Sequence, residues 1–161
     1  IGTDGAAAIA NVLMSNTTLK ELDLSHNSIT AEGIVALGKT LTRNKALREL
    51  DVSINPFGDA AYTALAEGLR HNVTLRMLSL ANTCGQKEGR MAIALAIRDS
   101  PRLELPTVVG VSFEAFARQL GLPSEGTSWS SERVIRELSV LWRDKLLAFA
   151  MGLHKRLGGG V

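Results

Sequence analysis

Leucine stands at positions 19, 47, 75 and 103, and almost everything between these positions recurs at the same 28-residue offset. A chain with such a period is an array of one small unit. No single unit can bury its own apolar face, so the array folds by stacking.

Laid over one another, Leu19-Lys20-Glu21-Leu22-Asp23-Leu24-Ser25-His26-Asn27-Ser28-Ile29 matches Leu47-Arg48-Glu49-Leu50-Asp51-Val52-Ser53-Ile54-Asn55-Pro56-Phe57. Both match Leu75-Arg76-Met77-Leu78-Ser79-Leu80-Ala81-Asn82-Thr83. Leu22 and Leu24 alternate with Glu21, Asp23 and Ser25, the period-two pattern of a strand with one apolar face. After a turn carrying Gly33, Ala61 or Gly89 the period changes. Ile34, Leu37 and Leu41 answer to Tyr62, Leu65 and Leu69, at the three-and-four spacing of a helix with one apolar stripe. Each unit is therefore a short strand followed by a helix.

Two asparagine ladders punctuate the array. Helices are expected to end at Asn44, Asn72 and Ser100, with Asn16 in the same place one unit earlier. Asn tolerates the left-handed backbone that closes many helices, which is the expected reason for this ladder. Asn27 and Asn55 form the second ladder at the strand exit, where a buried side-chain amide is expected to bond the loop backbone of its own and the next unit. Thr83 interrupts that ladder, with Asn82 one residue early, and an irregular turn is expected there.

Units of 28 residues, a full helix in each and the N-x-x-L-x-x-L-x-L rhythm make residues 1 to about 105 resemble the ribonuclease-inhibitor type of leucine-rich repeat. The subtype occurs in ribonuclease inhibitor, in NOD-like receptors and in the GTPase-activating protein of Ran. The resemblance implies an α/β fold, a right-handed horseshoe solenoid with parallel strands on the concave face and helices on the convex face. It identifies a scaffold, and a scaffold alone does not state a function.

The expected organisation is a half repeat at 1–16, full units at 17–44, 45–72 and 73–100, and the start of a degenerate unit up to 105. Leu103-Glu104-Leu105 reads as the start of a fourth strand, but Pro106 falls where the next core leucine belongs, and proline cannot donate to a central ladder. Residues 107–111, with Val108, Val109 and Val111, read as an edge strand or an extended cover. Residues 106–161 then form a helical C-terminal cap, with helices at about 113–120 and 131–157. In the second, Ile135, Leu138, Trp142, Leu146, Phe149 and Leu153 recur at three or four, giving an amphipathic helix suited to lie across the last repeat. Gly5, Ile9 and Leu13 align with Gly33, Leu37 and Leu41, so the chain also reads as a piece of a longer array.

Composition limits the function classes. Hydrophobic residues are 45% of the chain, charged residues 21% and the net charge +2, which suits a globular chain with a continuous core and names no partner by charge. There is no apolar run of about 18 residues, so no membrane-spanning helix is expected. Ile1 to Gly5 resembles neither a charged leader nor an apolar one. Cys84 is the only cysteine, so no internal disulfide forms and a reducing, cytoplasmic setting is expected. Asn16-Thr17-Thr18 and Asn72-Val73-Thr74 match the glycosylation pattern, but both asparagines belong to the helix-end ladder.

No catalytic constellation is present. His26, His71 and His154 share no metal-ligand spacing with Cys84 or with each other, and the glycine-bearing turns recur as punctuation. The expectation is no catalytic residue, no cofactor and no metal.

What remains is surface. Strand residues alternating with the core leucines line the exposed face of the sheet, and the candidate partner-binding set is Glu21, Asp23, Ser25, Glu49, Asp51, Ser53, Met77 and Ser79. Lys20, Arg48, Arg76 and Arg102 form a basic column beside these acids and are expected to pair with them. A basic or polar protein segment suits such a face. Nucleic acid does not, since a basic groove with stacked aromatics is missing. The leading reading is a non-enzymatic protein-interaction scaffold or adaptor. The alternatives are a regulator of a small GTPase, with Arg43 or Arg70 as the arginine the family resemblance asks for, the sensing repeats of a NOD-like receptor, and a structural subunit of a larger assembly.

Overall fold

The computed structural model describes residues 1–99 and 107–109. Strand and helix alternate as the two periods require. The elements are α1 (Gly2–Leu13), β1 (Glu21–Asp23), α2 (Ala31–Leu41), β2 (Glu49–Asp51), α3 (Asp59–His71), β3 (Met77–Ser79), α4 (Lys87–Asp99) and β4 (Thr107–Val109). The strands form one parallel sheet in the order β1-β2-β3-β4. The helices pack in the same order, α1 on α2, α2 on α3 and α3 on α4.

Register follows the sequence period in the first three strands. Glu21, Glu49 and Met77 stand side by side, as do Leu22, Leu50 and Leu78. The core lies between sheet and helices and is filled by equivalent residues. Leu24, Val52 and Leu80 come from the strand exits, Leu37, Leu65 and Ile93 from the helices, and Leu41, Leu69 and Ile97 from the next helical turn, all buried. Each such side chain contributes about 1.5–3 kcal/mol relative to exposure.

The fourth strand departs from the period. Val108 pairs with Leu78, two residues later than the 28-residue offset places it. The shift puts Val108, which can donate to the ladder, at the register position where the 28-residue period places Pro106. An even shift also keeps the same parity of residues on each face. The edge strand expected within 107–111 is therefore present, and the sheet continues past the boundary set at 105. Leu103 to Leu105 and the helices expected at about 113–120 and 131–157 lie outside the described residues.

The helix-end asparagines work differently from the expectation. Asn72 has φ −82° and ψ 131°, and the described non-glycine residues of positive φ are His26, Ser28, Ile54 and Asn82. The ladder is a side-chain device instead. The Asn44 amide donates to the carbonyls of Leu13 and Asn16, while its oxygen accepts from the Ala46 and Leu47 amides. Asn72 repeats this one unit on, donating to Leu41 and Asn44 and accepting from Thr74 and Leu75. Asn72 is fully buried, which also removes it as a glycosylation acceptor in the folded chain.

Three of the four left-handed positions form their own ladder, His26, Ile54 and Asn82, at the place one residue before Asn27 and Asn55 in each unit. Asn82 is therefore the regular turn residue of its unit, and the irregular turn expected there is not found at this position. Asn55 donates to Leu24, Val52 and Ser53 and accepts from the amides of Asn27 and Ile29. Its inter-unit bonds run to the preceding unit, not the next. Thr83 replaces it in the third unit, donating to Leu80 at 2.9 Å while its hydroxyl meets the Tyr62 hydroxyl at 2.7 Å.

Small residues let the helices approach closely. A Cβ on Gly38 would lie 2.5 Å from the Ala64 carbonyl oxygen, and one on Gly68 would lie 2.6 Å from that of Gly38. Thr40, buried, fastens α2 to α1 by a 2.9 Å bond to the Ala10 carbonyl. Where Ile29 and Phe57 fill the core, the third unit has Gly85, and the Tyr62 ring occupies the space its side chain would need.

Candidate functional site

Strand parity assigns the candidate residues to the face opposite the core leucines. Glu21 pairs with Glu49 and Asp23 with Asp51 across the β1–β2 ladder. Met77 and Ser79 continue the two rows on β3. Neighbouring strands lie ~4.8 Å apart, so like charges directly opposite raise each other's energy. The face thereby holds negative potential that a cationic group relieves.

The rows are graded. Glu21 and Asp23 are exposed, Glu49, Asp51 and Met77 are half-buried, and Ser53 and Ser79 are only 7% and 8% exposed. Of the eight candidate residues the structure brings six to an accessible face and turns these two serines largely from solvent. Nothing in the strand pattern signals that gradient, because each unit presents the same alternation.

The aspartates have a local task as well. Asp23 accepts from the Ser25 amide, and Asp51 from the Ser53 amide, both at 2.8 Å. The Ser25 hydroxyl, aided by that amide, holds the Asp23 carboxyl below the ordinary carboxylate value. Asp23 is thus ionised on this face throughout the neutral range.

The basic column does not neutralise the acids. Among the described residues the ion pairs are Arg70–Glu67 at 3.1 Å and His71–Glu67 at 3.4 Å. Lys20, Arg48 and Arg76 are exposed and pair with none of these carboxylates. Lys20 precedes β1, and its ammonium donates to the Thr17 carbonyl at 3.5 Å. Arg102 lies outside the described residues. Of the two arginines weighed for a GTPase role, Arg70 is held by Glu67 and Arg43 is exposed. Cys84 is a free, exposed thiol. Among the described residues no group of three His, Cys, Asp or Glu side chains converges as a metal ligand set, and no helix is long and apolar enough to cross a membrane.

A family profile described as leucine-rich repeat matches residues 15–38. Among curated proteins none matches the chain. Among solved structures, the actin-binding site 2 of leiomodin-1 is similar at 19% identity over 95% of this chain and 83% of that one, with a TM-score of 0.69. The C-terminal domain of tropomodulin from Caenorhabditis elegans is similar at 13% identity over 93% of this chain and 98% of that one, with a TM-score of 0.51. At these identities the likeness is one of fold, and the strand–helix stack is a leucine-rich-repeat fold.

Proposed function

We propose that this leucine-rich-repeat chain is a non-enzymatic protein-interaction module whose binding face is the acidic side of the sheet. One observation carries the proposal: Glu21 with Glu49, and Asp23 with Asp51, stand in register on an accessible face, and none of the four is in an ion pair among the described residues. A rigid array presents such a face at little conformational cost, and complementary charge speeds and orients encounter. The partner segment is basic or polar, meeting the acids of β1 and β2 and the less charged surface at Met77.

The 28-residue unit and helices of 11 to 13 residues support the ribonuclease-inhibitor subtype, with the sheet on the concave side of a horseshoe. A cytoplasmic location goes with this reading. The structural neighbour from leiomodin-1 is an actin-binding site, which makes actin the first purified protein to test, on fold likeness alone.

The test compares affinity capture by the parent chain with capture by a variant carrying Glu21→Lys, Asp23→Lys, Glu49→Lys and Asp51→Lys. Loss of a partner by a variant that keeps its circular dichroism spectrum supports the acidic face as the binding site. Retention of every partner overturns it.

A further inference from the structure

We infer that the exposed basic column of Lys20, Arg48 and Arg76 is a second interaction surface, one that takes an acidic extended polypeptide. It does not rest on the role proposed for the acidic face.

The column is built by the backbone. The Arg48 amide donates to the Lys20 carbonyl at 2.7 Å and the Arg76 amide to the Arg48 carbonyl at 2.6 Å. The Glu49 and Met77 amides donate to the same two carbonyls, each at 3.0 Å, and these shared bonds hold the backbones of Lys20, Arg48 and Arg76 side by side. With strands ~4.8 Å apart, Lys20 and Arg76 lie about 10 Å from each other. Like charges at that spacing oppose one another, and no carboxylate among the described residues forms an ion pair with them, Glu67 being engaged with Arg70 and His71. The Lys20 ammonium reaches only a carbonyl, that of Thr17, as the exposed Lys45 reaches only that of His71.

The geometry selects the partner. An extended chain advances ~3.3 Å per residue, so a run of about four residues crosses the column. Carboxylates in such a run meet the two guanidinium groups as bidentate pairs and the ammonium as a point charge. A polynucleotide fits less well. The described aromatic residues, Phe57 and Tyr62, are both buried, which leaves no platform for base stacking among the described residues.

The experiment measures fluorescence anisotropy of a labelled hexaglutamate peptide titrated with the 161-residue chain. Expected is saturable binding that weakens with added salt, as screening of exposed charges requires. Arg48→Gln weakens it about fivefold, the upper end for an exposed pair, whereas Lys39→Gln, an equal loss of charge off the column, changes it less than about twofold. Combined Lys20→Gln, Arg48→Gln and Arg76→Gln weakens it about 30-fold or more if the terms add. Should that triple variant unfold, the two single variants decide. Absence of binding, equal losses in Arg48→Gln and Lys39→Gln, or an oligothymidylate of equal charge binding as tightly as the peptide overturns the inference.

Discussion

The side-chain amide of Asn72 donates to the main-chain carbonyl of Asn44 at 2.9 Å, and Asn44 makes the same bond to Asn16 at 3.0 Å. One residue type, repeated at one offset, thus ties each helix-to-strand loop to the loop before it. The Asn72 bond is buried and the Asn44 bond partly so, and loss of the buried one leaves its acceptor without water.

Asn72→Ala is accordingly expected to cost about 3 kcal/mol or more, since it strips partners from the carbonyls of Leu41 and Asn44 and from the amides of Thr74 and Leu75. Asn16→Ala, which loses only its two bonds to the Thr18 and Leu19 amides in a half-buried loop, is expected to cost about 1 kcal/mol. Urea unfolding of the two variants measures the difference, and equal costs would refute the inter-unit role.

Ile54 has φ 53° and is 48% exposed. A left-handed backbone costs an L-residue roughly 1–2 kcal/mol, and Asn less because its side chain bonds locally. Ile54→Asn, which copies the residue at the same place in the next unit, is expected to stabilise the chain by about 0.5–1 kcal/mol. A fall in thermal midpoint would count against the strain.

Gly38 lies where a methyl group would strike the Ala64 carbonyl. In an isolated helix Gly→Ala gains about 0.5–1 kcal/mol. Here Gly38→Ala is expected to destabilise by about 1–3 kcal/mol, because α2 and α3 must separate to admit it. Denaturant unfolding gives the sign, and a gain would mean that the helices are not in backbone contact.

Tyr62 is the only tyrosine, so absorbance titration reads it alone. Burial raises its phenol above the ordinary 10.0, against the smaller lowering influence of the Thr83 hydroxyl. For a group whose folded value is raised, the stabilisation is complete below the unfolded value and is lost as pH rises through the folded one. The expected result is a phenolate that forms above pH 10.0 together with loss of stability, while Tyr62→Phe keeps its stability further into alkali. Ordinary titration in the folded chain would refute the burial of the hydroxyl.

Much of the fold was legible because apolar spacing does two jobs at once: Leu22 and Leu24 define a strand face, and Leu37 and Leu41 a helix stripe. The asparagine ladders were legible as positions and not as mechanisms. Asn suits both a left-handed helix end and a buried side-chain bridge, and only the backbone of Asn72 separates the two. The late start of β4 was hidden because a period counted from leucines cannot register a two-residue shift of the pairing. The lack of pairing in the basic column was not legible, since Lys20 beside Glu21 and Arg48 beside Glu49 suggest pairing by adjacency alone. The partial burial of Ser53 and Ser79 had no sequence signal, for it depends on what the stacked units cover.

Both asparagine ladders reach backward: Asn55 to Leu24, Asn27 and Ile29, Asn72 to Leu41 and Asn44. The array consequently has a grain. When the later unit of a pair peels away, it leaves behind carbonyls and amides that incoming water can solvate, and it carries its own asparagine out with it. When the earlier unit opens beneath a later one that stays folded, the asparagine left in place has lost its partners. Fraying from the β4 side and fraying from the α1 side are therefore unequal events, and amide exchange along the chain should descend in one direction only.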